Sequence, residues 1–247
     1  MYSCPGATCT AVLIYTMKTF ADEVISFNRQ VHFSGELPEG IRIMNPFKEN
    51  EDIHRLSSLF YKKYYSDQNR RHLILGINPG RFGAGITGIP FTDPKRLMEK
   101  CGLPFNGAPA HEPSSVFIYE MIDAFGGADA FYGKFYIHSV CPLGFTKPGK
   151  NGREINYNYY DSRELTAAVY DFIIDNIKKQ IALGIDTDLC FCFGTGKNEK
   201  FLRALNEEKK FFKKIIALEH PRFIMQYKSK SKKIYLDKYM AAFRSAL

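Results

Sequence analysis

Apolar and polar positions along this chain alternate between two periods. Phe20, Val24 and Phe27 fall on one face of a predicted helix over about 20–29, and a similar stripe recurs over about 51–65. Arg71-His72-Leu73-Ile74-Leu75-Gly76-Ile77 is a short apolar run closed by Asn78-Pro79-Gly80, which reads as a buried parallel strand entering a tight loop. A helix is expected over about 114–125, after Pro113 and Ser114 in the starting positions. A second strand follows at Lys134 to His138, broken by Cys141-Pro142-Leu143. Thr146 to Tyr160, rich in Gly, Lys, Asn and Tyr, reads as a loop. One long helix is expected over about 162–182, with Leu165, Val169, Phe172, Ile173 and Ile177 on its stripe. Leu189 to Phe193 reads as a third strand that turns through Gly194-Thr195-Gly196 into a helix. Lys214 to Leu218 is a fourth strand, ending at Glu219-His220-Pro221-Arg222, and a basic helix is expected over about 231–245. Strands alternating with helices predict a three-layer α/β/α sandwich around a short, mostly parallel four-stranded sheet. No internal repeat or linker divides the chain, so residues 17–247 are expected to form one domain. Residues 1–16, ahead of the better start at Met17, are expected to be a leader outside the fold.

Composition narrows the class. At 247 residues, 45% apolar and 24% charged, the chain has globular composition. No apolar run approaches the length of a membrane span. Its six cysteines, at 4, 9, 101, 141, 190 and 192, form no CxxC pair and have no partners at metal-ligand spacing. They read as structural thiols of a reduced, cytoplasmic protein. The formal charge of +8 is unevenly spread: Lys197 to Leu247 holds 14 Lys and Arg against 5 Asp and Glu, and the rest of the chain is close to neutral. A polyanionic partner would meet that last fifth.

Open parallel sheets place their chemistry at the carboxyl ends of the strands. The richest loop there is Gly76 to Phe91, with five glycines and two prolines in 16 residues. Glycines let the backbone approach a flat ligand, the Asn78 amide can donate and accept at once, and Phe91 offers a stacking face. Neither glycine turn matches a nucleotide-binding fingerprint. Gly80 to Gly85 does not read GxGxxG. Gly194-Thr195-Gly196-Lys197-Asn198 has Phe191 where a P-loop needs its first glycine and Asn198 where it needs Ser or Thr.

Gly76-Ile77-Asn78-Pro79-Gly80-Arg81-Phe82-Gly83-Ala84-Gly85-Ile86-Thr87-Gly88-Ile89-Pro90-Phe91 closely resembles the first motif of the uracil-DNA glycosylase superfamily. The form is that of its single-strand-selective monofunctional group, in a bacterial branch. Ile137-His138-Ser139-Val140-Cys141-Pro142-Leu143 is similar to the family's His-Asn-x-Cys-Pro-Leu strand end, and Leu218-Glu219-His220-Pro221-Arg222 to the start of its second motif, His-Pro-Ser-Pro-Arg. The resemblance implies a DNA glycosylase of base-excision repair, acting as a monomer on DNA with no metal or cofactor. Asn78 would position the attacking water and His220 would hydrogen-bond the departing base. Phe91 would stack on the flipped base, Gly76, Ile77 and Gly83 would shape its pocket, and Ser139 would read its edge. Pro79, Gly80, Pro221, Arg222, Phe223, Lys228, Lys230 and Lys232 would meet the DNA, with Arg222 and Phe223 as wedge candidates in a loop after His220 and Lys233 extending the lysine run. Two departures stand out. The family's Asn is Ser139 here, a rotating hydroxyl that discriminates less and suggests that xanthine is accepted alongside uracil. Its Ser-Pro-Arg-Asn continuation is replaced by Arg222-Phe223-Ile224-Met225. Two other readings compete: a non-catalytic nucleic-acid-binding protein of the same fold, disfavoured by the presence of both Asn78 and His220, and a nucleotide- or nucleoside-processing enzyme, disfavoured by the broken fingerprints.

Overall fold

The computed structural model describes residues 17–247, so the expected leader at 1–16 lies outside the described residues. Seven strands are present among the described residues: β1 (Arg42–Met44), β2 (Arg71–Gly76), β3 (Phe135–Ser139), β4 (Gly144–Pro148), β5 (Glu154–Tyr157), β6 (Ile185–Phe193) and β7 (Lys214–Leu218). Twelve α-helices separate them: α1 (Phe20–Gln30), α2 (Pro46–Glu49), α3 (Glu51–Tyr64), α4 (Ala84–Thr87), α5 (Pro94–Cys101), α6 (Pro113–Phe125), α7 (Ala128–Tyr132), α8 (Arg163–Ala168), α9 (Tyr170–Ala182), α10 (Lys197–Lys209), α11 (Pro221–Tyr227) and α12 (Lys232–Arg244). The central sheet runs β3-β2-β6-β7 with every pairing parallel.

Side chains alternate across a strand, so neighbouring residues of β3 face opposite layers. Tyr136 packs against Phe20 of α1 and Tyr65 just after α3. Phe135, next to it, packs against Phe243 of α12, which also meets Phe191 of β6. Helices therefore cover both faces, and the strands between them are nearly all buried. Local chemistry sets several helix starts. Thr19 and Asp22 form a reciprocal capping box ahead of α1, and the Asn50, Asp93 and Ser162 side chains cap α3, α5 and α8.

Two expectations need correction. The predicted loop over 146–160 contains most of a hairpin: β4 and β5 pair antiparallel, and β1 adds to β4 as a second, three-stranded sheet. The turn residues Gly149 to Gly152 close the hairpin, with Gly149 N–H donating to Arg153 O at 2.7 Å. The predicted helix over 162–182 is two helices that meet at Val169 (φ −101°, ψ 5°). This break keeps Leu165 and Val169, and beyond it Ile173 and Ile177, buried on one side.

The strand that leads into the glycine-rich loop is anchored at its start. Arg71 is fully buried, donates to Tyr132 O at 2.7 Å, forks onto both oxygens of Asp67 at 2.9 and 2.8 Å, and lies over the rings of Phe20 and Tyr65. Removing the guanidinium strips Tyr132 O of its buried donor, while Asp67, 38% exposed, can return to water. Arg71→Leu should lower unfolding stability by about 2 kcal/mol, read from the urea midpoint. A loss under about 1 kcal/mol would show that the guanidinium does not hold the start of β2.

Candidate functional site

Strand register assembles the site. Leu75 of β2 pairs with Cys192 of β6, which pairs with Ala217 of β7. Asn78 and His220 lie three residues beyond the first and last of these partners, so parallel strands of matched register deliver both to the same edge of the sheet. Ser139 pairs with Gly76 at the end of β3 and arrives from the other side. Asn78, Ile77, Phe91, Ser139 and His220 all line one cavity of about 140 Å³.

Asn78 is fixed from the hairpin side. Its Oδ1 accepts from Tyr159 N at 3.1 Å, and its Nδ2 donates to Tyr157 O at 3.3 Å. Both ends of the amide are thereby assigned, and Oδ1 keeps one lone pair not used by Tyr159. The segment that grips it is itself held: Tyr159 donates its hydroxyl proton to Asn198 Oδ1 at 2.7 Å, and its carbonyl accepts from Thr166 Oγ1 at 3.0 Å. Asn198 is buried and donates to Phe193 O at 3.1 Å, tying the grip to the end of β6.

His220 caps α11. Its Nδ1 accepts from Arg222 N at 3.1 Å, with Pro221 in the first helical position. An accepting Nδ1 carries no proton, so the neutral ring is protonated at Nε2 and has a donor to give. Burial, then the nearby Arg222 charge, pushes the imidazole pKa down to about 4. The ring lies 5.5 Å from that of Phe91. Phe91 is held at φ 53°, a left-handed conformation costly for an aromatic residue, and Thr87 Oγ1 secures the turn by donating to Thr92 O at 2.7 Å.

The remaining expected residues divide. Pro79, Gly80 and Arg222 line the cavity; Gly76 and Gly83 do not. Gly76 makes room for Phe91, whose ring would lie 3.1 Å from any Cβ there, and Gly83 makes room for Glu112, whose Oε2 would lie 1.7 Å from one. Arg222 and Phe223 occupy the first turn of α11, where a wedge loop was expected. Pro221 is buried, Phe223 is exposed and its ring lies 5.6 Å from that of Tyr227. In the lysine run, Lys232 is paired with Glu120 at 2.6 Å and Lys233 with Asp237 at 3.5 Å. Lys228 and Lys230 are exposed and form no ion pair among the described residues. The sequence reading missed Glu112, Ser114, Asn156 and Asn158, all of which line the cavity. The alternation of Asn156 and Asn158 along a strand edge is the one signal that would have pointed to the last two.

A family model described as the uracil DNA glycosylase superfamily matches residues 62–244. The chain belongs to that superfamily. A search of curated proteins returned no match. Among solved structures, wild-type SMUG2 of Pedobacter heparinus is 64% identical, with a TM-score of 0.91, covering 93% of this chain and 99% of its own. This superfamily member thus carries Asn78, Phe91, Ser139 and His220 around one cavity on a matching fold.

The depressed His220 pKa has a sign that can be checked. The ring stays neutral down to about pH 4, and its contribution to stability is lost as pH falls from the unfolded value of about 6.5 toward 4. Imidazole nitrogen NMR shifts of His220 should report the Nε2–H tautomer unchanged between pH 5.5 and 8. A titration midpoint near 6.5 would contradict the assignment.

Proposed function

We propose that this protein hydrolyses the N-glycosidic bond of uracil, and of deaminated purines such as xanthine, in DNA. The observation that carries the reading is that Asn78 and His220, from the ends of two different strands, line one cavity together with Phe91, whose ring lies 5.5 Å from that of His220. Such cleavage builds positive charge on the deoxyribose and negative charge on the departing base, so a site needs an oriented water on one side and a donor on the other. The water oxygen attacks C1′ as the C1′–N bond breaks, and the surplus proton of the water passes to bulk solvent. The electron pair of that bond leaves with the base and spreads onto its carbonyl oxygens. The Asn78 Oδ1 lone pair left by Tyr159 orients the water, and an amide suffices because an oxocarbenium-like centre needs no strong base. His220, neutral with its proton on Nε2, donates to the base carbonyl as charge gathers there, and gives up no proton. Phe91 stacks on the base held out of the helix, and the Ser139 hydroxyl meets its edge.

Ser139 supports the broader base range. A hydroxyl serves as donor or acceptor by rotation, whereas an amide imposes a fixed pair. The exposed aromatic and basic surface of α11, with Phe223, Tyr227, Lys228 and Lys230, suits stacking and phosphate contact beside the pocket. A non-catalytic DNA-binding protein would have no use for the hydrogen bonds that fix both Asn78 and the His220 tautomer.

Base release from oligonucleotides carrying uracil, xanthine or hypoxanthine tests the reading. His220→Ala should slow uracil release by about 10²–10³-fold and Asn78→Ala by at least as much, with DNA binding retained. Wild-type rates in both variants would refute the site. Ser139→Asn should shift preference from xanthine toward uracil; an unchanged ratio of the two rates would remove Ser139 from base choice. Replacing both Lys228 and Lys230 by Gln should reduce the salt slope of DNA binding by about two units, while Lys232→Gln, already engaged with Glu120, should change it by less than one.

A further inference from the structure

Glu112 is a cavity-lining residue that neither the sequence motifs nor the proposed chemistry employs. It stands just before α6, where its backbone N–H donates to Asp93 Oδ2 at 3.0 Å. Its side chain reaches over the start of the glycine-rich loop. Gly83 leaves the space for its Oε2, and its Oε1 approaches the position a Cβ would take on Gly80, as does Asn156 Nδ2. Oε2 is shut off from solvent and has no hydrogen-bond partner among the described residues. Arg222 lies close enough to act on it electrostatically but does not reach ion-pair distance. Glu112 also lines an adjoining cavity that opens past Phe82, Met225 and Gln226, so its carboxyl sits in the wall between the two.

No other residue lining the base cavity can carry a negative charge. Its remaining polar groups are the amides of Asn78, Asn156 and Asn158, the hydroxyls of Ser114 and Ser139, the His220 ring and the Arg222 guanidinium. A carboxylate with one oxygen sealed from water and unpartnered costs stability unless something compensates. A transition state with a cationic sugar supplies such compensation, because an oriented charge in a low-dielectric pocket acts strongly on charge that develops there. We infer that Glu112 is a positioning residue of base release, its ionised carboxylate providing the negative charge against which the sugar's positive charge develops. The inference rests on the glycosylase reading above. The carboxylate takes no proton from the water and forms no bond; it acts by its field from its place beside Gly80 and Asn156.

The groups that face Glu112 set its titration. Burial and then the Asp93 carboxylate, at the start of α5, push its pKa up to about 7, and Arg222 on α11 and the Ser114 hydroxyl oppose them. Arg96 and His111 both contact the Asp93 carboxylate, and His111 directly precedes Glu112 in the chain. Arg81, from the glycine-rich loop, donates its backbone N–H to Asn156 Oδ1 at 3.1 Å. His220, with a pKa of about 4, does not change charge in the same range.

Single-turnover release of uracil by the full chain over pH 5.5–9, with saturating enzyme, separates the outcomes, using Asn78→Ala as the blank. The wild-type rate should rise through one ionisation near or above neutral. Glu112→Gln should be about tenfold slower at pH 8 with a flat profile, and Glu112→Asp should recover a titrating profile at reduced rate. An acid whose pKa is raised on folding costs stability increasingly as pH climbs from about 4.5 to 7, so Glu112→Gln should raise the melting temperature more at pH 8 than at pH 5. That shift shows the variant folds. Glu112→Gln with the wild-type rate and profile overturns the inference and leaves the glycosylase reading intact. A slower Glu112→Gln that keeps the wild-type midpoint also overturns it, because the residue would then be structural only. Wild-type protein that releases no base overturns both.

Discussion

Parallel pairing in register across β2, β6 and β7 is the constraint from which the site follows. Because Leu75, Cys192 and Ala217 lie in one row, the chain leaves the sheet at the same level on three strands. Strands about 4.8 Å apart then place the exits of β2 and β7 about 10 Å from each other, with β6 between. That spacing leaves room for one flat ring between groups carried by the two exits. A one-residue slip of β7 would carry His220 off this edge and turn every side chain of the strand to the other face. The burial of the strands under α1 and α3 on one face and α12 on the other is what excludes such slips.

Two local devices convert this placement into oriented chemistry, and neither is a strong interaction by itself. The Tyr157–Tyr159 backbone fixes which end of the Asn78 amide faces the cavity, and the start of α11 fixes which nitrogen of His220 bears the proton. Each is an ordinary backbone hydrogen bond, worth about 1 kcal/mol net. Their value lies in removing wrong orientations in advance. The interior of the pocket is nearly free of positive charge, and Arg222 marks its rim. Around the C-terminal helix, Lys232, Lys233 and Lys238 are held by Glu120, Asp237 and Glu219. Lys228 and Lys230, without an ion pair among the described residues, follow the exposed rings of Phe223 and Tyr227 along the chain.

The four parallel strands were legible because buried strands are continuous apolar runs that end in glycine, proline or asparagine, as Leu73 to Gly76 does. Asn78, Phe91 and His220 were legible because a 16-residue loop pattern and a His-Pro pair are specific. The β4–β5 hairpin was not, because Lys147, Pro148, Gly149, Lys150 and Asn151 punctuate it more strongly than Phe145, Ile155 and Tyr157 mark it as strand. The break at Val169 carries no glycine or proline and shows only in how two stripes meet the sheet. Glu112 was hidden for a different reason. A glutamate before proline reads as a solvated helix start, and its burial is made by the missing side chains of Gly80 and Gly83, on the loop before α5.

The proposed site makes one spatial demand: a base must stack on Phe91 within reach of Asn78 and His220. A crystal structure of Asn78→Ala bound to an oligonucleotide containing uracil puts that demand to the test. An extrahelical uracil stacked on Phe91 is expected, with a carbonyl oxygen within hydrogen-bond distance of His220 Nε2 and Arg222 at the edge of the vacated stack. Uracil left paired in the duplex, or seated away from Phe91 and His220, would contradict it.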